Sequence, residues 1–158
     1  MRILKLLYLN IIFYFLFFIF FLVAIPGFGT FIVLCAFILP RRQVLKRLRR
    51  AIVWYGTVII RILPFPLVRV IYKNYASSQV KGPFIFVSNH RSSSDPFLMA
   101  CPCLSYEAIQ VVNIWPFHLP IFGILAKIAG YLSVREISFE DFLAKTTKLL
   151  KEGVSIIV

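Results

Sequence analysis

Aspartate and glutamate are missing from the first 80 residues, which hold eleven lysines and arginines. Residues 81 to 158 hold seven basic and six acidic residues, so the halves carry +11 and +1, together the +12 of the chain. The two halves therefore obey different physics. Charge of either sign is missing from Leu6 to Leu39, and the run also lacks an Ala-x-Ala cleavage site. It is about twice as long as the apolar core of a cleavable signal, which excludes that reading. Cysteine is scarce: Cys35 lies inside the apolar run, and Cys101 and Cys103 stand too close for a relaxed disulfide. Free thiols in a reducing compartment are expected. No second spaced ligand pair stands beside Cys101 and Cys103 for His90 or His118 to complete, so no metal is expected.

Hydrophobic residues make up 60% of the chain and aromatics 16%, with a mean hydropathy of +0.87. That is beyond soluble usage and points to a membrane protein. Within the apolar run, Ile25-Pro26-Gly27-Phe28-Gly29 supplies a helix breaker and two permissive glycines. Two helices, about 3 to 25 and 28 to 39, are expected as a hairpin, with one long tilted span as the alternative. Arg2 and Lys5 precede the run and "RRQVLKRLRR" follows it, so the positive-inside bias places both ends in the cytoplasm. Beyond it, Leu45, Leu48, Ile52, Tyr55, Ile59 and Ile62 recur at helical spacing, with Arg42, Lys46, Arg49 and Arg50 on the other side. An interfacial helix facing anionic headgroups is expected, and the neighbouring apolar run favours membrane phospholipid over nucleic acid as its partner.

After Pro64 and Pro66 the pattern changes. "LVRVIYKNY" alternates as a strand would, and Gly82-Pro83 introduces the short apolar run "FIFVS". Asn89-His90-Arg91-Ser92-Ser93-Ser94-Asp95-Pro96 then leads into a helix start, with Pro96 suited to the first turn. "YEAIQVV" reads as a strand, "IFGILAKIAG" as a helix ending at Gly130, and "YLSVR" as another strand. Ser138 and Asp141 have the spacing of a capping box for a helix closed by Gly153, and "VSIIV" begins a further strand. Strands alternating with helices predict an α/β layer with a mainly parallel sheet, whose strand C-terminal ends carry the functional loops.

His90 falls on such a strand-to-helix loop. A histidine can transfer protons near neutral pH and needs a partner to fix its tautomer, and a curled loop lets Asp95 face it. Spacing alone leaves the bland readings open: Asp95 as a helix cap and His90 as a satisfied surface residue.

The string "SNHRSSSDPFLMA" resembles the first motif of the 1-acyl-glycerol-3-phosphate acyltransferases, Asn-His followed by four residues and Asp after a β-strand. "GYLSVRE" is similar to the family's second motif, with Gly130 opening the strand and Arg135 at the phosphate-binding position, and "PIFG" (120 to 123) resembles the segment between them. The apolar hairpin is similar to the membrane-binding element of bacterial members. The resemblance implies acyl transfer from acyl-CoA or acyl carrier protein, as co-substrate and without a cofactor, to the sn-2 hydroxyl of a lysophospholipid acceptor, with phosphatidic acid as product.

In that reading His90 is the general base, Asp95 orients it, Asn89 and Gly130 support the motifs, and Arg135 pairs with the acceptor's phosphate. Ser92, Ser93 and Ser94 are loop and cap residues, a serine nucleophile being the minority reading. Two units are expected: 1 to 63, a membrane-binding hairpin with the basic helix, and 64 to 158, the N-terminal part of an α/β acyltransferase domain. The expected location is the inner membrane, with the catalytic unit facing the cytoplasm. The family's third motif, Phe-Pro-Glu-Gly-Thr-Arg, is absent after "KEGVSIIV", so a truncated sequence is expected. A different acceptor, such as another lyso-lipid or glycerol 3-phosphate, is the alternative within the same chemistry. A non-catalytic membrane-anchored module is the alternative outside it.

Overall fold

The apolar run folds as one helix, α1 (Arg2–Ile38), which passes straight through Pro26. The computed structural model describes residues 2–62, 69–73, 75, 81–89 and 95–158. The expected break at Ile25 to Gly29 does not occur. Proline forfeits one helical hydrogen bond, but α1 presents an unbroken stripe to the core on both sides of it. Phe13, Phe17, Phe20, Phe21 and Ala24 precede Pro26, and Phe28 and Ile32 follow. Burial along the whole stripe outweighs the local break.

The reversal comes instead at Leu39 and Pro40. Pro40 is extended (φ −57°, ψ 144°) and stands just before α2 (Arg41–Arg61), where a missing N–H costs nothing. Helix α2 runs back beside α1. The Phe20 ring stacks on Tyr55 at 5.3 Å, and Phe28 meets Trp54 edge-on at 5.4 Å. The helical hairpin is therefore α1 with α2, not two halves of α1.

The apolar side of α2 faces the protein rather than a membrane. It buries Val44, Leu48, Val53, Tyr55, Val58 and Ile59 and packs on the elements that carry the sheet. Arg42, Lys46 and Arg50 are exposed as expected, but Arg49 is buried.

The sheet has the order β1-β4-β2-β3 with every pair parallel: β1 (Ile85–Phe86), β2 (Ala108–Val112), β3 (Leu132–Ser133) and β4 (Ser155–Ile157). Ile85 lies opposite Ile156, Ala108 opposite Ser155, and Val111 opposite Leu132. Successive strand residues go to different cores, as a period of two requires. Ile109 and Ile156 join the larger cluster with Leu48, Ile59 and Leu125. Ala108 and Ile157 join a smaller one with Val53, Ala100 and Cys103. Both faces are covered, the ordinary state of a parallel sheet.

Three further helices connect the strands: α3 (Asp95–Ala100), α4 (Phe122–Ala129) and α5 (Phe139–Lys151). Short 3₁₀ turns follow α3 at Cys101–Cys103 and precede α4 at Trp115–His118. The expected caps are in place. The Asp141 N–H donates to Ser138 Oγ at 3.1 Å, and Gly130 and Gly153 take the left-handed conformation after α4 and α5. The strand expected in "LVRVIYKNY" is not present: residues 69–73 and Tyr75 are irregular, and 67, 68 and 74 lie outside the described residues. Alternation makes a strand only where a neighbouring ladder exists to pair with, and among the described residues β1 pairs with β4 alone.

Candidate active site

The strand C-terminal ends share one edge of the sheet because all four strands are parallel. At that edge β1 runs into Val87, Ser88 and Asn89. The Ser88 N–H donates to the Val158 carbonyl at 3.2 Å, and the Val158 N–H donates to Phe86 at 2.8 Å, so the root of the loop is tied to β4. His90 and the serines at 92 to 94 lie outside the described residues. Asp95 opens α3, whose position is set from three sides. From β2, Gln110 Nε2 donates to the Pro96 carbonyl at 2.9 Å. From α2, Gly56 allows an approach in which an added Cβ would stand 2.9 Å from that of Ala100. From α1, Phe17 meets the Phe97 ring edge-on at 6.4 Å.

Arg135 follows β3 at the opposite side of the same edge. The Val134 N–H donates to Val112 at 3.2 Å, and the Arg135 N–H to Ser133 Oγ at 3.3 Å. Its side chain is exposed and, among the described residues, makes no ion pair with Glu136 or Glu140. Strands β1 and β3 are separated by β4 and β2, three spacings or about 14 Å. Asn89 and Arg135 thus lie on loops at opposite sides of one sheet edge, and Asp95 opens the helix that follows the first of these loops. Gly130 acts further back, turning the chain from α4 into β3 with φ +86°.

A family model described as Acyltransferase matches residues 69–158. The chain belongs to the acyltransferase family. The match spans more than half of the chain and takes in Asn89, His90, Asp95, Gly130 and Arg135, while α1 and α2 precede it. No curated protein and no solved structure matches the chain.

"PIFG" (120 to 123) lies inside the acyltransferase match, and its backbone is unusual. Ile121 sits at φ 62°, ψ −54°, and the Phe122 N–H donates to the Pro120 carbonyl at 2.6 Å. This is a γ-turn, a conformation rare for a β-branched residue. It brings α4 so near the preceding turn that a Cβ on Gly123 would lie 2.1 Å from the Phe117 carbonyl oxygen. Only glycine fits there.

Sequence patterning missed the interaction that fastens α2 to the acyltransferase sheet. Arg49 Nη1 meets Glu107 Oε1 at 2.6 Å, and Arg49 Nε donates to the Ala129 carbonyl at 2.7 Å. The available signal was Glu107 itself, an acid directly ahead of a buried strand, which a desolvated position tolerates only with a partner. The thiols of Cys101 and Cys103 are buried, and burial raises both, Cys103 to about 12 with its neighbour Cys101 adding to the rise. Neither is a nucleophile near neutral pH. Among the described residues no three His, Cys, Asp or Glu side chains gather as a metal set. Two concavities, about 770 Å³ along α5 and about 400 Å³ between α2 and the Gly153 turn, lie away from the strand C-terminal ends.

Proposed function

We propose that this acyltransferase moves a fatty acyl group from acyl-CoA or acyl carrier protein to the sn-2 hydroxyl of lysophosphatidic acid, giving phosphatidic acid, at the cytoplasmic side of a membrane. The observation that carries it is Asn89 at the end of β1, on the same sheet edge as Arg135, followed in sequence by His90 and Asp95 inside the matched family region. In this reading His90 accepts the proton of the acceptor hydroxyl as that oxygen attacks the thioester carbonyl. The tetrahedral intermediate collapses, the C–S bond breaks, and the thiolate takes the proton back from the imidazolium. Asp95 acts on His90, holding its tautomer and stabilising its charge. Arg135 offers a planar guanidinium to the phosphate.

The substrate supplies the nucleophile, so no side chain is acylated, and no metal or cofactor enters the reaction. The membrane role rests on α1, whose Leu6–Ile38 segment is long and apolar enough to cross a bilayer.

The test is acyl transfer in detergent or vesicles with a panel of acceptors. His90→Ala should lower kcat by roughly 10² to 10⁴ while vesicle binding persists. Arg135→Ala should raise KM for lysophosphatidic acid and leave a phosphate-free acceptor unaffected. Retained turnover in His90→Ala would remove the base, and equal use of a phosphate-free acceptor would remove lysophosphatidic acid as substrate.

A further inference from the structure

Helix α4 turns an apolar side outward. Ile121, Ile124 and Ile128 are 42%, 64% and 51% exposed at helical spacing, and Lys127 is the only charge on the helix. The outer face of a surface helix in water is ordinarily polar. Trp115, in the turn before α4, is exposed as well. This face is continuous with that of α1: a Cβ added at Gly29 would lie 3.9 Å from Ile121 Cγ2. Past Gly29, α1 exposes Val33, Leu34 and Phe37.

The packing of α1 limits how it can meet a bilayer. Its inner stripe from Phe13 to Ile32 lies against the catalytic core over 20 residues, roughly 30 Å at 1.5 Å per residue. That length equals the thickness of the hydrocarbon layer. With α1 upright across a bilayer, α2 and its exposed Arg47 and Arg50 would stand in hydrocarbon beside it.

We propose that α4 is a second lipid-contacting element, its Ile121, Ile124 and Ile128 forming with the outward side of α1 one apolar platform. The platform rests in the headgroup boundary of an anionic phospholipid leaflet, with α1 lying along the membrane. This rests on the membrane role given to α1 above. Exposed Arg41, Arg42, Lys46, Arg50 and Lys127 complement the leaflet's charge.

Nitroxide labels on single cysteines test it, since Cys35, Cys101 and Cys103 are buried. The labelled variants are Phe15→Cys, Leu34→Cys, Ile124→Cys and, on exposed α5, Leu143→Cys, each in phosphatidylethanolamine and phosphatidylglycerol vesicles. Collision with oxygen against a water-soluble nickel complex should place labels 15, 34 and 124 in lipid at similar shallow depth and label 143 in water. Label 124 in water with 15 and 34 in lipid overturns the proposal and leaves the membrane role of α1 standing. Labels 15 and 34 at opposite depths overturn the in-plane placement, and all labels in water overturn both readings. In parallel, the double variant Ile124→Glu with Ile128→Glu should bind these vesicles at least about tenfold more weakly. Unchanged binding overturns the platform.

Discussion

The ion pair between Arg49 and Glu107 allows a quantitative test of what joins α2 to the sheet. The two side chains are 7% and 16% exposed and meet at 2.6 Å, so each charge depends on the other for its solvation. Removing one partner strands a charge, which costs about 3–5 kcal/mol for a buried pair. Arg49→Met also removes the hydrogen bond to the Ala129 carbonyl, adding about 1 kcal/mol. Glu107→Leu leaves the guanidinium with that carbonyl alone. In the double variant no charge remains, and two apolar side chains fill similar space, so the loss should shrink to about 1–2 kcal/mol. The expected coupling is therefore about 3 kcal/mol or more, well above the error of additivity for independent sites. Thermal unfolding in detergent, followed by tryptophan fluorescence, should show each single variant falling by roughly 10 °C, at ~2–4 °C per kcal/mol for a chain of this size, and the double variant by much less. Single variants whose losses simply add in the double would refute the reasoning, because they would show that neither charge depends on the other.

Two other substitutions probe the site's support and the buried thiols. Gly56→Ala places a methyl 2.9 Å from the Ala100 Cβ, so α3 and Asp95 should shift, with a stability loss of about 1–3 kcal/mol and a fall in kcat; unchanged turnover would detach α3 from the site. Cys103, raised from 9.0 to about 12 by burial, stays a thiol at pH 8 and should resist maleimide until the protein unfolds. Its folded value lies above the unfolded one, so its contribution is complete below pH 9 and is lost as pH rises through about 12; a stability profile rising over that window would contradict it.

Signals that act within a few residues were legible in the sequence. The capping box at Ser138, the left-handed ends at Gly130 and Gly153, and the apolar runs of β2 and β4 each report a local preference, and the parallel α/β layer follows from their alternation. What was not legible depends on partners far along the chain. Pro26 carries a correct local signal for a break, but the stripe that overrides it exists only because the rest of the protein packs against α1. Arg49 looked like one more cation on a basic face, and its carboxylate stands 58 residues away. Gly56 and Gly123 are invisible as spacers until the neighbouring backbones are in place. At the candidate site, the loop residues and Arg135 were assigned by motif. Their separation across four strands needed the sheet order β1-β4-β2-β3, which no local pattern encodes.

The long helix α1 resembles a tether, a part whose removal leaves a soluble enzyme. Its packing says otherwise. Ile25 and Ile32 are buried in the same cluster as Ile59, Leu125 and Ile156, and Phe17 rests on Phe97 two residues after Asp95. Deleting α1 would strip one wall from the catalytic core and loosen the helix that carries Asp95. For protein production, the soluble fragment that a tether would permit is not available from this fold: α1 has to be kept and its outer face kept in detergent or lipid.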